Sequence, residues 1–508
     1  MRPIRWSSCG ILIGFILCSS LLGTAKAQPL PRPVDQPGEI PSPLLGRSKT
    51  PSSSPKQTQL KGQVDNDSGS DVASGTAQEP VMPSSQPEPS TLTTDTQPAS
   101  NTPNFYAGNQ PDPQDLSNLL VGNFRNTKYR WYGFVRLDSI FDYNPIASTD
   151  DFVTSSIPVP QGRGQNWVLT PRYTRLGFDT ETPVESLDWT VKTRIEMDFF
   201  NGNTSGVFGS FPLRLRFAWI DFGPFLVGQA ASLFMDYSVF PNVLDYEGPP
   251  GMVLMRQPIF GLHCSFWDNF KISVGIEQPY SDIQWFENGV WVRNPNTGII
   301  TEPHVGRNIQ DMPDFTGNIR YEGEYGHLQL AGIGRKLTFQ PAFGKDQSAF
   351  GYGLNVTGSW HPWAMLFGLG KDCEDNPWQK SRFLAQYAVG RGIGRYIQDM
   401  NGLGLDATFD PVNGFRALPA YGWFVAYEQW WAKRWASNFT VGGGTWVGLT
   451  DTLPSNTYMA ASYYSANLIW LPFERLGVGI EYLYGFREDK NGQFGLAHRL
   501  QAGMQYKF

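Results

Sequence analysis

The sequence predicts an all-β fold: a 16-stranded antiparallel transmembrane β-barrel, preceded by a signal peptide and a disordered Pro/Ser/Thr-rich tether. Three observations carry this. Residues 28–113 hold 16 of the 39 prolines and only Phe105 and Tyr106 as aromatics, whereas from Thr127 onward aromatics and glycines are dense. Period-2 alternation then recurs in segments of about 10 residues, the signature of membrane-crossing barrel strands. The connections between those segments also alternate in length, long then short.

The first 27 residues have the build of a signal peptide. Arg2 and Arg5 precede the apolar run "ILIGFILCSSLLG", and Ala25 and Ala27 place small residues before a cut at Gln28. Leu17 before Cys18 is a poor context for lipid attachment, so plain secretion is expected. Loss of Arg2, Arg5 and Lys26 moves the formal charge from −6 to −9, which excludes a nucleic-acid binder. Cys9 and Cys18 leave with the signal; Cys264 and Cys373 are able to pair in an oxidising compartment, but two such distant cysteines make no framework and their pairing stays open. Beyond the signal no apolar run reaches about 18 residues, so crossing by a helix is not available.

Residues 28–113 have too little to bury to offset the entropy of ordering, so a flexible tether is expected. "DNDSGSD" at 65–71 is not a calcium loop: its glycine comes one place early, and Thr76 stands where a bidentate Glu belongs. Residues 114–126 are a lead-in, either a short helix or the approach to the first strand.

Strands are predicted at 129–143, 168–180, 187–200, 213–222, 224–229, 252–264, 268–277, 313–322, 325–336, 348–361, 381–389, 419–431, 434–446, 459–470, 475–486 and 496–508. In "LDWTVKTRIEMDF", Leu187, Trp189, Val191, Ile195 and Met197 share one face with Thr193, and Asp188, Lys192, Arg194, Glu196 and Asp198 share the other with Thr190. The final "LAHRLQAGMQYKF" alternates in the same way and reads as the closing strand. Faces carrying so many charges of both signs are too costly to bury dry, so they must be wet. Hydrocarbon in turn forbids an unpaired strand edge, which closure removes. One connection, 362–380, is long where a short turn is expected; it is either an insertion or a sign that the strand count is wrong.

Five segments in order resemble the DcaP-like trimeric outer-membrane porin family: "LRLRFAWIDFGPFLVGQAASLFMD", "LDYEGPPGMVLMRQP", "GRGIGRYIQD", "LPAYGWFVAYEQWW" and the stretch from "ANLIWLPFERLGVGIEYLYGFR" to the end, with "PRYTRLGF" near the start. The resemblance spans nearly all of 127–508. It implies a homotrimeric channel in the outer membrane of a Gram-negative-type bacterium, embedded in outer-membrane lipid and passing small anionic solutes, dicarboxylates among them. The family usually carries a periplasmic coiled coil ahead of the barrel; here 28–113 is proline-rich without heptads, and 362–380 is a second departure.

On the alternation rule the lumen receives thirteen basic residues against nine acids, although the mature chain is acidic. A low-dielectric wall focuses such a field and concentrates anions. Arg175, Arg194, Arg214 and Arg216 come from three successive strands and are expected to form one basic patch, suited to bidentate carboxylate contacts. Arg136, Arg320 and Arg335 are further inward arginines. The alternative for each is pairing with a neighbouring lumen acid that stiffens the wall. The third long loop, 230–251, is expected to fold inward as in porins of similar build, bringing Asp236, Asp245 and Glu247 opposite the basic wall; the alternative is that these acids face a neighbouring subunit.

No enzyme is expected. His263, His304, His327, His361 and His498 are scattered without H-x-S or H-E-x-x-H spacing, and "GRGIGRY" leads from a strand into a loop with no helix to hold a phosphate. No metal or other cofactor is expected. The competing function is an envelope-anchoring or adhesion barrel whose tether, in the periplasm, contacts the cell wall.

Overall fold

The computed structural model describes residues 121–201, 211–266, 269–283, 306–341, 345–367, 376–410, 414–448 and 453–508. The signal peptide, the tether, residues 114–120 of the lead-in, and Cys373 lie outside them. Residues 121–124 of the lead-in form a short strand, not a helix.

In chain order the strands are β1 (Val121–Phe124), β2 (Thr127–Asp142), β3 (Asn166–Thr170), β4 (Arg175–Val184), β5 (Trp189–Asp198), β6 (Arg214–Phe222), β7 (Phe225–Ala231), β8 (Arg256–Phe266), β9 (Phe270–Glu277), β10 (Gly306–Ile309), β11 (Asp314–Gly323), β12 (Gly326–Pro341), β13 (Gln347–Trp360), β14 (Arg382–Arg391), β15 (Ala407–Asp410), β16 (Gly414–Ala417), β17 (Pro419–Ala432), β18 (Trp435–Val447), β19 (Tyr458–Phe473), β20 (Leu476–Asp489) and β21 (Phe494–Lys507). One short helix, α1 (Pro362–Phe367), follows β13.

The wall is a closed antiparallel barrel with sixteen strand positions among the described residues. β3 and β4 lie end to end along β2, and β10 and β11 along β12, so each pair fills one position. β21 pairs with β2, Arg136 opposite Gln505, and this closes the sheet. Every predicted strand segment coincides with one position, in order. β13 and β14 pair directly, Trp360 opposite Phe383, so 362–380 is an insertion and the count stands.

Alternation separates two surfaces. Leu137, Ile195, Leu354 and Met504 are about half exposed on the outside (52%, 47%, 54% and 53%), while Arg136, Asp138 and Glu481 point inward and are buried. An apolar band of this extent is what hydrocarbon solvates and water does not.

Inside, the barrel is not simply water. The largest apolar cluster packs Phe234, Phe240, Val243 and Met252 of the loop after β7 against Ile393, Tyr396, Ile397 and Met400 of the loop after β14. Strand glycines make room for this. A Cβ at Gly422 on β17 would stand 2.6 Å from the carbonyl oxygen of Gly251.

Candidate functional site: an arginine wall and the segment it grips

The three strands that carry the predicted patch are held in a register that sets acids directly opposite its arginines. Asp179 on β4 faces Arg194 on β5, and Asp198 on β5 faces Arg214 on β6. Each of these pairs is bidentate. Arg194 Nε and Nη2 donate to Asp179 Oδ1 and Oδ2 at 2.8 and 2.9 Å. Arg214 Nε and Nη2 donate to Asp198 Oδ1 and Oδ2 at 2.9 and 2.7 Å. A bulge between Glu196 and Met197 shifts the β5–β6 register, with Asp198 opposite Arg214, Met197 opposite Leu215 and Glu196 opposite Phe217. Arg216, which falls in that step, reaches both Glu196 (2.7 Å) and Asp198 (2.9 Å). Arg175 completes the group, 3.3 Å from Glu196.

The sequence thus places all four arginines together, and the acids that pair with them are the inward acids of the same strands. Arg130 on β2 also pairs with Asp179, so five guanidinium groups against three carboxylates leave two net positive charges in the cluster. Arg214 is its open member, with a third of its side chain exposed (32%), whereas Arg216 and Asp198 are buried.

Tyr246 is the centre that sequence reasoning missed. Its hydroxyl accepts from Arg175 Nη2 (3.3 Å), Arg214 Nη2 (3.2 Å) and Arg216 Nη1, and donates to Asp198. Its ring stacks on Tyr173 with centroids 4.6 Å apart and on Phe200 at 4.8 Å. Stacked aromatics and a buried hydroxyl with charged partners both fix position. The only advance signal was its place in "LDYEGPPG", a turn-rich stretch flanked by apolar residues.

Tyr246 belongs to residues 232–255, which touch inward side chains around much of the wall. Asn318 donates to the Leu233 carbonyl at 2.8 Å, Asn355 to Phe234 at 2.8 Å and Gln386 to Gly251 at 3.0 Å. Glu428 accepts from Asn242 N (2.9 Å), and Glu481 from the backbone N–H groups of Leu244 and Asp245 (2.7 and 2.8 Å). Arg136, held bidentately by Asp138 at 2.7 Å, donates to the Leu244 carbonyl.

The remaining predicted residues fall in three places. Asp236 is bonded into the wall by Arg320 (3.0 Å), His327 (2.9 Å) and Thr357 (2.7 Å), and this cationic company holds its carboxyl far below the usual range despite burial. Asp245 accepts from the N–H groups of Phe152 (3.0 Å) and Gly248 (2.9 Å), with its pKa pushed up by burial. Glu247 lies beside Asp245 and Asp399, and burial, offset by Gln398, pushes it up to about 7. Arg335 pairs with Asp406 (3.0 Å) and Asp314 (3.3 Å), outside the patch. Asp399, also missed, accepts from Thr154 Oγ1 (2.8 Å), Ser155 N (2.9 Å) and Tyr458 (2.6 Å), tying the loop after β2 to the loop after β14.

A solved outer-membrane channel shares this architecture. The family model described as DcaP outer membrane protein matches residues 121–261, which include β1 to β7, the first part of β8, the arginine wall and Tyr246. The crystal structure of the outer membrane channel DcaP of Acinetobacter baumannii is similar at TM-score 0.60 and 19% identity, over 76% of this chain and 99% of that one. An anion-selective porin from Comamonas acidovorans is similar at TM-score 0.47 and 8% identity, over 75% of this chain and 100% of that one. No curated protein matches the chain.

Proposed function

We propose that this chain is a DcaP-like outer-membrane porin and allows passive diffusion of small hydrophilic, preferentially anionic solutes through a lumen narrowed by residues 232–255. The observation that carries the reading is the cluster around Tyr246: five arginines, three acids, and Arg214 partly open to the lumen. Arg214 engages Nε and Nη2 with Asp198 and Tyr246, which leaves Nη1 to donate to a solute carboxylate, so carboxylates, dicarboxylates among them, are the apt solutes.

The acids of the gripped segment do not cancel this excess. Asp236 is paired with Arg320, and Asp245 is taken up by the N–H groups of Phe152 and Gly248. The arginine excess of the wall faces the narrow region, and a wall of low dielectric concentrates anions there.

We place the working unit as a homotrimer, the short-turn rim in the periplasm, and residues 28–113 as a periplasmic tether behind a cleaved 1–27 signal. β1 supports that placement, since Val121 lies opposite Arg130 near the short-turn end of β2, so the preceding chain joins the barrel on that side.

The test is the reversal potential of the full protein in a planar bilayer under a potassium chloride gradient. Chloride preference, with added succinate lowering single-channel current, is the expected result. Potassium preference would overturn the proposal.

A further inference from the structure

The insertion after β13 and the wall above it form a surface that the channel reading leaves unused. α1 ends in Met365, Leu366 and Phe367, exposed at 55%, 71% and 53%. It is anchored to the outward side of the barrel: Trp363 Nε1 donates to Tyr427 Oη at 2.8 Å, and Trp363 packs edge-on to Trp378 at 5.4 Å. Tyr427 in turn belongs to an outward aromatic row with Phe383 (4.5 Å) and Trp360 beyond it (6.0 Å from Phe383).

Beside this row the wall of β12–β14 and β17 carries a groove of about 620 Å³, lined by Leu328, Val356, Trp360, Phe383, Tyr387 and Val425 among others. All six are outward and 40–56% exposed. Gly358 and Ala385 also line it, and such small side chains leave room along the wall. Its size lies within the range of ligand sites, roughly 300–1,000 Å³.

Cations stand at the same rim. Lys380 closes the insertion, 5.9 Å from the Trp430 ring, and exposed Lys433 and Arg434 form the next turn, between exposed Trp431 and Trp435. An apolar groove, an aromatic row at its end, and then cations is the order in which a phospholipid presents its acyl chain, glycerol region and phosphate.

We propose that this surface binds one phospholipid of the inner leaflet, its acyl chain in the groove, its phosphate among Lys380, Lys433 and Arg434, and α1 seated in the headgroup region beside it. The proposal rests on the outer-membrane reading, which gives the outward face its lipid surroundings. Anionic headgroups are preferred, because the rim charges attract them. A second copy of the chain is the other possible occupant and is an outcome of the test.

The experiment adds palmitoyl-oleoyl phosphatidylglycerol to the full mature protein, delipidated in detergent, and counts retained lipids per protomer by native mass spectrometry. One tightly retained lipid is expected, with at least fivefold lower occupancy for the groove-filling variant Ala385→Trp and for K380E/K433E/R434E. Val356→Trp serves as a second groove variant should Ala385→Trp fail to assemble. Equal retention by wild type and variants would overturn the proposal, as would equal displacement by inorganic phosphate alone, or loss of oligomers without loss of lipid. Planar-bilayer conductance is measured on the same samples. It is expected unchanged, and its absence in wild type would sink the channel reading while leaving the lipid count informative.

Discussion

Two arcs of the wall hold the same segment by different chemistry. The arc of β2 and β4–β6 meets it with ions: Arg136 at Leu244, and Arg175, Arg214 and Arg216 at Tyr246. The arc of β11–β14 and β19 meets it mainly with carboxamides: Asn318, Gln329, Asn355, Gln386 and Asn467 each donate to a backbone carbonyl of the segment, while its cations there are matched by acids, Arg320 by Asp236 and Arg382 by Glu428. A neutral amide satisfies a carbonyl without taking an ion out of water, whereas each buried guanidinium needs several acceptors to offset its desolvation. Position can thus be supplied by either arc, but an excess of arginines over acids by only one. Holding the segment and selecting the ion are separable properties of this barrel.

The strongest challenge to that separation is to reverse the charged arc. R194A/R214A/R216A leaves Asp179, Glu196 and Asp198 facing only Arg130 and Arg175, so the cluster passes from two net positive charges to one negative. Anion preference is expected to invert to cation preference in reversal-potential measurements. Removing one partner of a buried pair costs about 3–5 kcal/mol, so a lower unfolding temperature on heated gels is expected beside it. Arg214→Ala alone halves the excess to one positive charge and is expected to weaken anion preference without inverting it.

Next in size is a change in position without a change in charge. Gly422→Val sets a side chain where the Gly251 carbonyl oxygen now lies, 2.6 Å from the ideal Cβ. Overpacking of this kind costs roughly 1–3 kcal/mol, and here the segment, not the strand, is the part free to yield. Single-channel conductance is expected to change, with the sign of the reversal potential kept. Inversion of that sign by Gly422→Val would mean that position and potential are not separable.

A smaller effect follows from pH. Glu247 faces Asp245 and Asp399, with Arg214 opposing them, and burial pushes it up to about 7 from the usual 4.5. A raised carboxyl binds its proton more readily when docked than when released. Docking is therefore unpenalised below the released pKa and weakens as pH climbs through the docked one, between about 4.5 and 7. Amide exchange of residues 232–255, corrected for intrinsic rates, is expected to be better protected at pH 5 than at pH 8, with the difference reduced in Glu247→Gln.

How much of this was legible in the sequence divides along the same line. The strands were, because alternation is a local property and one face of each met hydrocarbon; even the irregular β5–β6 step left its arginines inward. The partners of those arginines were readable in principle, since Asp179 and Asp198 lie directly opposite Arg194 and Arg214 once a hairpin register is assumed. Tyr246 and Asp399 were not. Nothing periodic marks a loop residue that meets the far wall, and Asp399 joins loops 245 residues apart in sequence. The apolar core between 232–255 and 392–418 was hidden for the same reason: composition shows that a loop holds Phe and Met, not what it packs on.

The smallest expected effect is the sharpest probe of the two arcs. Asn467 Nδ2 donates to the Asn242 carbonyl at 2.8 Å and to Glu481 at 3.2 Å, and its Oδ1 accepts from Asn438 N at 2.7 Å. Asn467→Ala removes all three bonds, and each buried group left unsatisfied costs about 1–3 kcal/mol. The segment still keeps Glu428 at Asn242 and Glu481 at Leu244, so it is expected to stay in place with only greater open-channel noise. Because no charge is altered, the reversal potential is expected to match wild type. A shift as large as that of Arg214→Ala would show that the amide arc sets potential by placing the loop, and the division between holding and selecting would fail at the position where it predicts the least.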